Sequence, residues 1–301
     1  MLMMHIDSHQ HFWRYSAREY GWIDDAMKSL RRDFMPEDLE PELEGNGFHG
    51  CVAVQARQTL AETRWLLELA GRHPFIKGVV GWIDLRSPEL RLQLESFCGN
   101  SKLAAIRHIV QSEADDRFLM QSDFLRGIAM LEEFNLTYDI LIYARHLPVA
   151  AEFVAGFERQ RFVLDHLAKP DIRGRELATW SRGIRELAKF PNVYCKLSGL
   201  VTEADWDKWM EGDFAPYLDV AFECFGASRL MIGSDWPVCT VAGNYSRVMS
   251  VVKNYLDKVP LDAREAVLGK TAANVYRLDA AKSNQISAAD CSDYTDSGPF
   301  V

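Results

Sequence analysis

The chain has 301 residues, of which 48% are hydrophobic and 26% charged, a composition typical of a folded protein of enzyme size. This composition excludes disorder over the whole chain. The net charge of -9 and the pI near 5.4 argue against a nucleic-acid or anionic-membrane surface, because either needs a basic field. We therefore expect a small-molecule partner, with no nucleic acid and no membrane, and the oligomeric state stays open.

The six cysteines are scattered and form no C-x-x-C pair, so we expect them to be reduced. No apolar run approaches the roughly 18 to 20 residues that a membrane span needs. The N-terminal residues carry neither a basic region nor a cleavage site of small residues. We expect a cytoplasmic protein.

Short apolar segments of strand length alternate with longer amphipathic segments along the chain. Such repetition predicts a parallel sheet, and eight units favour closure into a single-domain α/β fold, the (β/α)8 TIM barrel, over an open doubly wound sheet. The barrel is expected over residues 1–279. The predicted strands are 5–7, 51–54, 76–80, 103–106, 138–142, 162–164, 193–195 and 230–232, and the predicted helices include 60–71, 88–98, 121–134, 147–157, 175–190, 206–225 and 245–259.

Two segments stand outside the repeat. Residues 12–38 form an unusually long connection after the first strand and carry several aromatic side chains. Long loops of this kind are often lids, so we expect this one to cover the active-site mouth. Residues 280–301 are polar and lack periodicity, which predicts a peripheral tail.

Two histidines stand two residues apart on the first predicted strand. Alternate residues of a strand face the same side, so Asp7, His9 and His11 are expected to line one face. A His-x-His pair supplies only part of a metal or acid-base site. His166 at the end of the sixth strand and Asp235 at the end of the eighth can complete it, because strand ends meet at one face of a barrel.

Five motifs in chain order resemble the amidohydrolase superfamily, and more narrowly its amidohydrolase 2 branch, which includes sugar-acid lactonases of the fuconolactonase and rhamnonolactonase type. The resemblance covers roughly residues 4 to 278. It implies a (β/α)8 barrel that hydrolyses C–O or C–N bonds at carbonyl centres. The motifs are His9–His11, Ile106–His108, Leu164–Pro170, Lys196–Leu200 and Gly233–Pro237.

The resemblance implies that His9, His11, His166 and Asp235 form the catalytic and metal-binding set. Binuclear members of the superfamily carry a bridging carboxylate or modified lysine on the fourth strand, where this chain has Arg107. A two-metal site is therefore not expected. The four residues could hold one divalent ion such as Zn²⁺ with an open position for water, or act without a metal, and the sequence leaves both open.

Other polar strand-end residues are candidates for substrate binding. Arg107 and His108 could stabilise an oxyanion or hold hydroxyl groups. Lys196 and Ser198 could contact substrate, although Lys196 could instead pair with a carboxylate inside the barrel. Lys169 is either a cation of the pocket or a surface residue at a helix start.

Three tryptophans near strand ends, Trp13, Trp82 and Trp236, could stack on a sugar ring or simply fill the core. Cys195 lies within a strand and is interpreted as a packing residue rather than a nucleophile.

The function expected from the resemblance is hydrolysis of a sugar-acid lactone, such as L-fucono- or L-rhamnono-lactone, with Asp235 as general base. His9, His11 and His166 would polarise the carbonyl, directly or through an ion. A decarboxylase or amide hydrolase on the same barrel is the alternative. A non-catalytic sugar-binding barrel would not need Asp235 beside the histidine pair.

Overall fold

A computed structural model describes residues 4–97 and 99–278 of the chain. Eight parallel strands pair in sequence order, each with the next, which confirms the predicted strand-helix alternation. The predicted tail, residues 280–301, lies outside the described residues. The strands are β1 (Ile6–Gln10), β2 (Gly50–Val54), β3 (Ile76–Gly81), β4 (Leu103–His108), β5 (Thr137–Ile140), β6 (Phe162–Leu164), β7 (Val193–Leu197) and β8 (Leu230–Ile232).

Helices follow the strands and pack around them. None of those in the described ranges is both long and apolar enough to cross a membrane. They are α1 (Pro36–Gly45), α2 (Leu60–Arg72), α3 (Leu90–Glu95), α4 (Ser122–Glu133), α5 (Leu147–Ala155), α6 (Ala178–Leu187), α7 (Glu211–Phe225), α8 (Tyr245–Leu256), α9 (Leu261–Glu265) and α10 (Thr271–Tyr276).

The first and last strands meet at their carboxyl ends. The backbone N–H of His11 donates to the carbonyl of Trp236 at 2.6 Å, and that of Asp235 donates to the carbonyl of His9 at 2.8 Å. Gln10 and Trp236 form a parallel bridge. These bonds bring β1 and β8 together, so the molecule is a (β/α)8 barrel rather than an open sheet.

A bulge in β1 changes which side chains face inward. The pairing register with β2 shifts between Asp7 and Gln10. Asp7 does not share a face with the two histidines as expected: its carboxylate accepts hydrogen bonds from Ser234 and from the hydroxyl of Tyr245 on α8. The bulge places His9 on the inner face.

Helix α10 closes the amino-terminal end of the barrel. Tyr276 packs with Ile6, Val52 and Met231 in a buried cluster distinct from the main core. The hydroxyl of Thr137, the first residue of β5, donates to the carbonyl of Val275 on α10. The interior is therefore apolar at this end, and polar side chains occupy the other end.

The connection after β1 folds back on itself over the carboxyl end of the barrel. Trp13 and Phe34 exchange two backbone hydrogen bonds of 3.0 and 2.9 Å. Between them the segment carries Trp22 and Met27 to the wall of the cavity described below. Residues 12–35 thus form the expected lid, although α1 begins at Pro36, inside the predicted loop.

Candidate active site

Three imidazoles converge on one carboxylate oxygen at the carboxyl end of the barrel. The Oδ1 atom of Asp235 lies 3.3 Å from Nε2 of His11, 3.7 Å from Nε2 of His9 and 3.9 Å from Nε2 of His166. The Nε2 atoms of His9 and His11 are 3.2 Å apart. The four residues predicted from β1, β6 and β8 therefore lie within one coordination sphere or the reach of one water molecule.

Left-handed backbone positions two of these side chains. Residues 166 to 169 all have φ between 50° and 57°, and Asp235 has φ of 58°. Such conformations cost about 1 to 3 kcal/mol each in non-glycine residues and persist where the surroundings enforce them. Gly199 allows the close approach, since a Cβ there would lie 2.5 Å from Nδ1 of His166.

Hydrogen bonds to the far ring nitrogens orient the imidazoles. Nδ1 of His11 lies 2.8 Å from the carbonyl oxygen of Val54, which can only accept, so this nitrogen carries the proton. Nε2 of His11 is the ring nitrogen that faces His9 and Asp235. Nδ1 of His166 lies 2.9 Å from Oγ of Ser198, which fixes that ring from behind. Ser198, expected to contact substrate, instead orients the ring of His166 and does not line the cavity.

Burial controls the charge state of the site. It lowers the pKa of His9 well below its usual range and that of His166 to about 4. Burial by itself would raise the pKa of Asp235, but attraction to His166, which is protonated at the acid pH where Asp235 titrates, and the hydrogen bond with His11 outweigh it, and the pKa falls below its usual range. His9 and His166 are therefore neutral and Asp235 is ionised at neutral pH.

This donor set fits a single divalent ion. The ligand atoms of His9, His11 and Asp235 all lie within 4.8 Å of one another. Zinc–nitrogen distances of about 2.0 to 2.1 Å imply edges of about 3.3 Å in a tetrahedral site, close to the separations given above. A second group, His9, Asp165 and His166, meets the same distance limit, but Asp165 already pairs with two cations.

A layer of buried charges lies against His9. Nη1 of Arg107 donates to Oδ2 of Asp165 at 2.8 Å, and Nζ of Lys196 lies 2.9 Å from Oδ1 of the same carboxylate. Lys196 also donates to Asp139 at 2.6 Å, and Tyr276 donates to Asp139 at 2.8 Å. Lys196 is fully buried, so the barrel-carboxylate alternative describes its contacts and not the substrate-contact one.

A cavity of about 400 Å³ opens above the four converging residues, within the size range of small-molecule sites. Three of the four, with Arg107, reach its wall. Most of the remaining lining comes from the lid and from the loops that follow β2, β4, β5, β6 and β7. The lining residues are His11, Trp22, Met27, Ala56, Arg107, Ile109, Gln111, Ser112, Leu141, Tyr143, His166, Lys169, Thr202, Glu203, Trp206, Asp235 and Val238.

His108, expected to contact substrate, does not line the cavity. Successive strand residues point to opposite sides, so Arg107 faces inward and His108 faces the helices. Its Nε2 lies 2.6 Å from Oε1 of Glu113, and its ring stacks on Phe118 at 4.8 Å between centroids. Lys169, the alternative left open, does reach the cavity wall.

The three predicted sugar-stacking tryptophans are also absent from the cavity wall. Trp13 is fully buried and donates to the carbonyl of Arg32 at 2.9 Å, and Trp236 packs against Phe34. Trp82 directs its indole N–H toward His108 at 3.4 Å. These rings fill space beneath the lid and between strands and helices.

Two other tryptophans, Trp22 and Trp206, line the cavity wall instead. Trp22 lies in the lid, and Trp206 lies in the segment after β7. The sequence pattern predicted a helix from residue 206, whereas α7 begins at Glu211, so the preceding residues form cavity wall. Glu203 and Trp206 were missed for this reason, and a cluster of polar and aromatic residues directly after a strand is the signal that could have found them.

Cys195 is fully buried in the main core. Burial raises the pKa of its thiol, so it is not a thiolate at neutral pH. This placement agrees with a packing role.

Comparisons with known proteins point in one direction. A family model described as amidohydrolase matches residues 6–278. The chain is 43% identical to L-fucono-1,5-lactonase of Burkholderia multivorans over 286 residues, which is 91% of this chain and 96% of that protein. It is 38% identical to L-fucono-1,5-lactonase of Burkholderia ambifaria over 284 residues, 93% and 98% of the two chains.

A solved structure resembles the whole barrel. The crystal structure of an amidohydrolase from Burkholderia multivorans with bound zinc superposes with a TM-score of 0.89 at 43% identity, over 91% of this chain and 99% of that one. The family match spans nearly all of the described residues and includes every side chain of the site. The chain belongs to the amidohydrolase family.

Proposed function

We propose that the chain hydrolyses the ester bond of a sugar-acid lactone, with L-fucono-1,5-lactone as the first substrate to test. Relatives at 43% and 38% identity over most of the chain carry that activity. The observation that carries the proposal is the convergence of three imidazoles on one ionised carboxylate beside a cavity of small-molecule size.

Asp235 is the proposed general base. It reaches the cavity wall and is ionised at neutral pH, so it can accept a proton from a water molecule held between it and the imidazoles. The water oxygen then forms a bond to the lactone carbonyl carbon. His11 and His166, which also line the cavity, orient that water.

Arg107 is the proposed stabiliser of the oxyanion. Its Nη1 atom lies 3.3 Å from Nε2 of His9, and its Nη2 atom donates to the backbone carbonyl of Gln55. A guanidinium held by these contacts and by Asp165 keeps its charge and its position as negative charge develops on the carbonyl oxygen. When the intermediate collapses, the ring C–O bond breaks and Asp235 returns its proton to the leaving oxygen, which gives the open hydroxy acid.

We further propose that the ion of this site is Zn²⁺, held by His9, His11 and Asp235. A bound divalent ion acts as a Lewis acid and lowers the pKa of water in its open position. The donor distances and the neutral state of His9 support the assignment, and the related structure with bound zinc suggests which ion to test first.

The proposal includes a cytoplasmic role in carbohydrate metabolism. The cysteines at 51, 195, 224 and 239 are unpaired, which suits a reducing compartment. A decarboxylase or amide hydrolase on the same barrel remains the alternative, and the activity of the two curated relatives favours ester hydrolysis.

The test is acid release from a panel of aldonolactones, measured with a pH indicator against the uncatalysed rate. We expect L-fucono-1,5-lactone to be among the best substrates. Release no faster than in buffer for every lactone would overturn the proposal.

The same assay after dialysis against a chelator tests the metal. Activity lost with the ion and restored by Zn²⁺ would support the zinc assignment. Full activity in protein shown by elemental analysis to be metal-free would contradict it and leave the lactonase proposal standing.

A further inference from the structure

Lys169 and Glu203 place opposite charges on the cavity wall but do not form a hydrogen bond with each other. Their charged atoms, Nζ and Oε1, are 3.9 Å apart, too far for a hydrogen bond. Both side chains are mostly enclosed, with 19% and 23% of their surface exposed. Within residues 4–97 and 99–278, neither the ammonium nor the carboxylate makes a hydrogen bond to protein.

The buried ammonium of Lys196, on the neighbouring strand β7, gives a contrast, because its charge is neutralised by carboxylates of the protein. Lys196 lies 2.6 Å from Asp139 and 2.9 Å from Asp165, so its ammonium has two carboxylate partners. Enclosed charges are costly unless hydrogen-bonded. Lys169 and Glu203 lack such bonds to protein in the described residues, and they lie on the cavity wall, where a ligand can supply them.

The surroundings of this pair suit a sugar rather than an anion. The Nζ atom of Lys169 lies 5.6 Å from the ring centroid of Tyr143, and Tyr143 and Trp206 both line the cavity. Aromatic faces pack against the C–H face of a ring, while an ammonium and a carboxylate together offer hydroxyl groups both a donor and an acceptor.

The charges on the cavity wall are balanced. Glu203 and Asp235 place two carboxylates there, and Lys169 and Arg107 place two cations. Burial raises the pKa of Glu203, the charge of Lys169 opposes that rise, and the charge of Asp235 adds to it. A neutral lactone keeps this balance, whereas a substrate with its own carboxylate adds a negative charge without a counter-charge.

We propose that Lys169 and Glu203 form a hydroxyl-recognition subsite that selects neutral, polyhydroxylated lactones over unsubstituted ones. This inference rests on the proposed lactonase function. Glu203 accepts hydrogen bonds from ring hydroxyl groups and Lys169 donates to their oxygen atoms. Because these bonds form in the bound substrate as well as in the transition state, the subsite acts on KM more than on kcat.

The test compares two lactones of the same ring size, L-fucono-1,5-lactone and the unsubstituted δ-valerolactone. Glu203→Gln keeps the size of the side chain, and Lys169→Met keeps its apolar stem. Each should lower the ratio of kcat/KM for fuconolactone to that for δ-valerolactone by about 10- to 100-fold, the usual effect of hydrogen bonds to charged groups. The loss should appear mainly as a higher KM for fuconolactone.

A matched control is the exposed pair Lys189 and Glu186 on the outer surface, 2.5 Å apart. Glu186→Gln makes the same chemical change there and should leave the ratio unchanged. An equal loss on both lactones, or an unchanged ratio in both subsite variants, would overturn the subsite. If the unaltered protein hydrolysed neither lactone, the proposed function itself would be overturned instead.

Discussion

The Nδ1 atom of His9 lies 3.4 Å from Oδ1 of Asp165, on the side of the ring away from the cavity. The other oxygen of this carboxylate accepts from Nη1 of Arg107 at 2.8 Å. Asp165 therefore connects His9, a proposed metal ligand, to Arg107, the proposed oxyanion stabiliser. A carboxylate behind a histidine fixes the ring and raises its basicity.

We predict that Asp165→Asn lowers both stability and activity. The change removes one of the two carboxylate partners of Lys196, leaving Asp139, and removes the ion pair of Arg107. Breaking a buried pair in this way costs about 3 to 5 kcal/mol. kcat should fall by about 10- to 100-fold because His9 loses its support. Urea unfolding and steady-state kinetics measure the two effects.

Asp257→Asn is the matched control for that variant. Asp257 pairs with Arg264 at 2.7 Å on the surface, where it is 62% exposed, so stability should change by less than about 1 kcal/mol. Equal free energies of unfolding for Asp165→Asn and Asp257→Asn would contradict a stabilising role for the buried ion pairs of Asp165.

Glu62 is predicted to make stability depend on pH. Burial raises its pKa from 4.5 to about 7, although backbone N–H groups of Ala56 and Arg57 donate to it. A raised pKa in the folded state means that this contribution to stability is complete below pH 4.5 and is lost as the pH rises through about 7. The loss is about 3 kcal/mol, since each pKa unit corresponds to about 1.4 kcal/mol.

Glu62→Gln removes the titration and keeps an acceptor for the two N–H groups. Its free energy of unfolding should exceed that of the unaltered protein at pH 8, and the difference should shrink at pH 5. Urea unfolding curves of both proteins at the two pH values test this, and a difference that does not change with pH would contradict it.

Tyr276→Phe is predicted to weaken the closure of the barrel by α10. The lost hydroxyl donates to the buried carboxylate of Asp139, and hydrogen bonds to charged groups contribute about 1.5 to 3 kcal/mol. Tyr255→Phe removes a similar bond to Asp219 at the surface and should cost about 0.5 kcal/mol or less. Similar unfolding midpoints for the two variants would argue against a stabilising contact between α10 and the barrel interior.

Much of this architecture follows from sequence pattern. The alternation of apolar and amphipathic segments predicts eight strand-helix units, and barrel geometry then brings strand ends together. His166 and Asp235 were therefore predictable partners of the histidine pair, although they are far from it in the chain. The lid was predictable from its length and its aromatic residues.

The direction of individual side chains was not predictable in the same way. Asp7 leaves the inner face because of a bulge, and His108 points outward because its neighbour Arg107 points inward. Trp13 and Trp236 are buried by packing among distant segments. Glu203 meets Lys169 because the chain after β7 forms only a short 3₁₀ helix, Val201–Glu203, before α7 begins at Glu211.

The central claim is that Asp235 is the base of a lactonase, and Asp235→Asn tests it most directly. The amide keeps the size of the side chain but cannot accept the proton of water. The kcat on L-fucono-1,5-lactone should therefore fall by about 10²- to 10⁴-fold. Circular dichroism should show that the variant keeps its fold. His166→Asn should also lose activity, and Cys195→Ser, a change in the packed core, should not. Near-full activity of Asp235→Asn would contradict the mechanism, and loss of activity in folded Cys195→Ser would point to a thiol nucleophile instead.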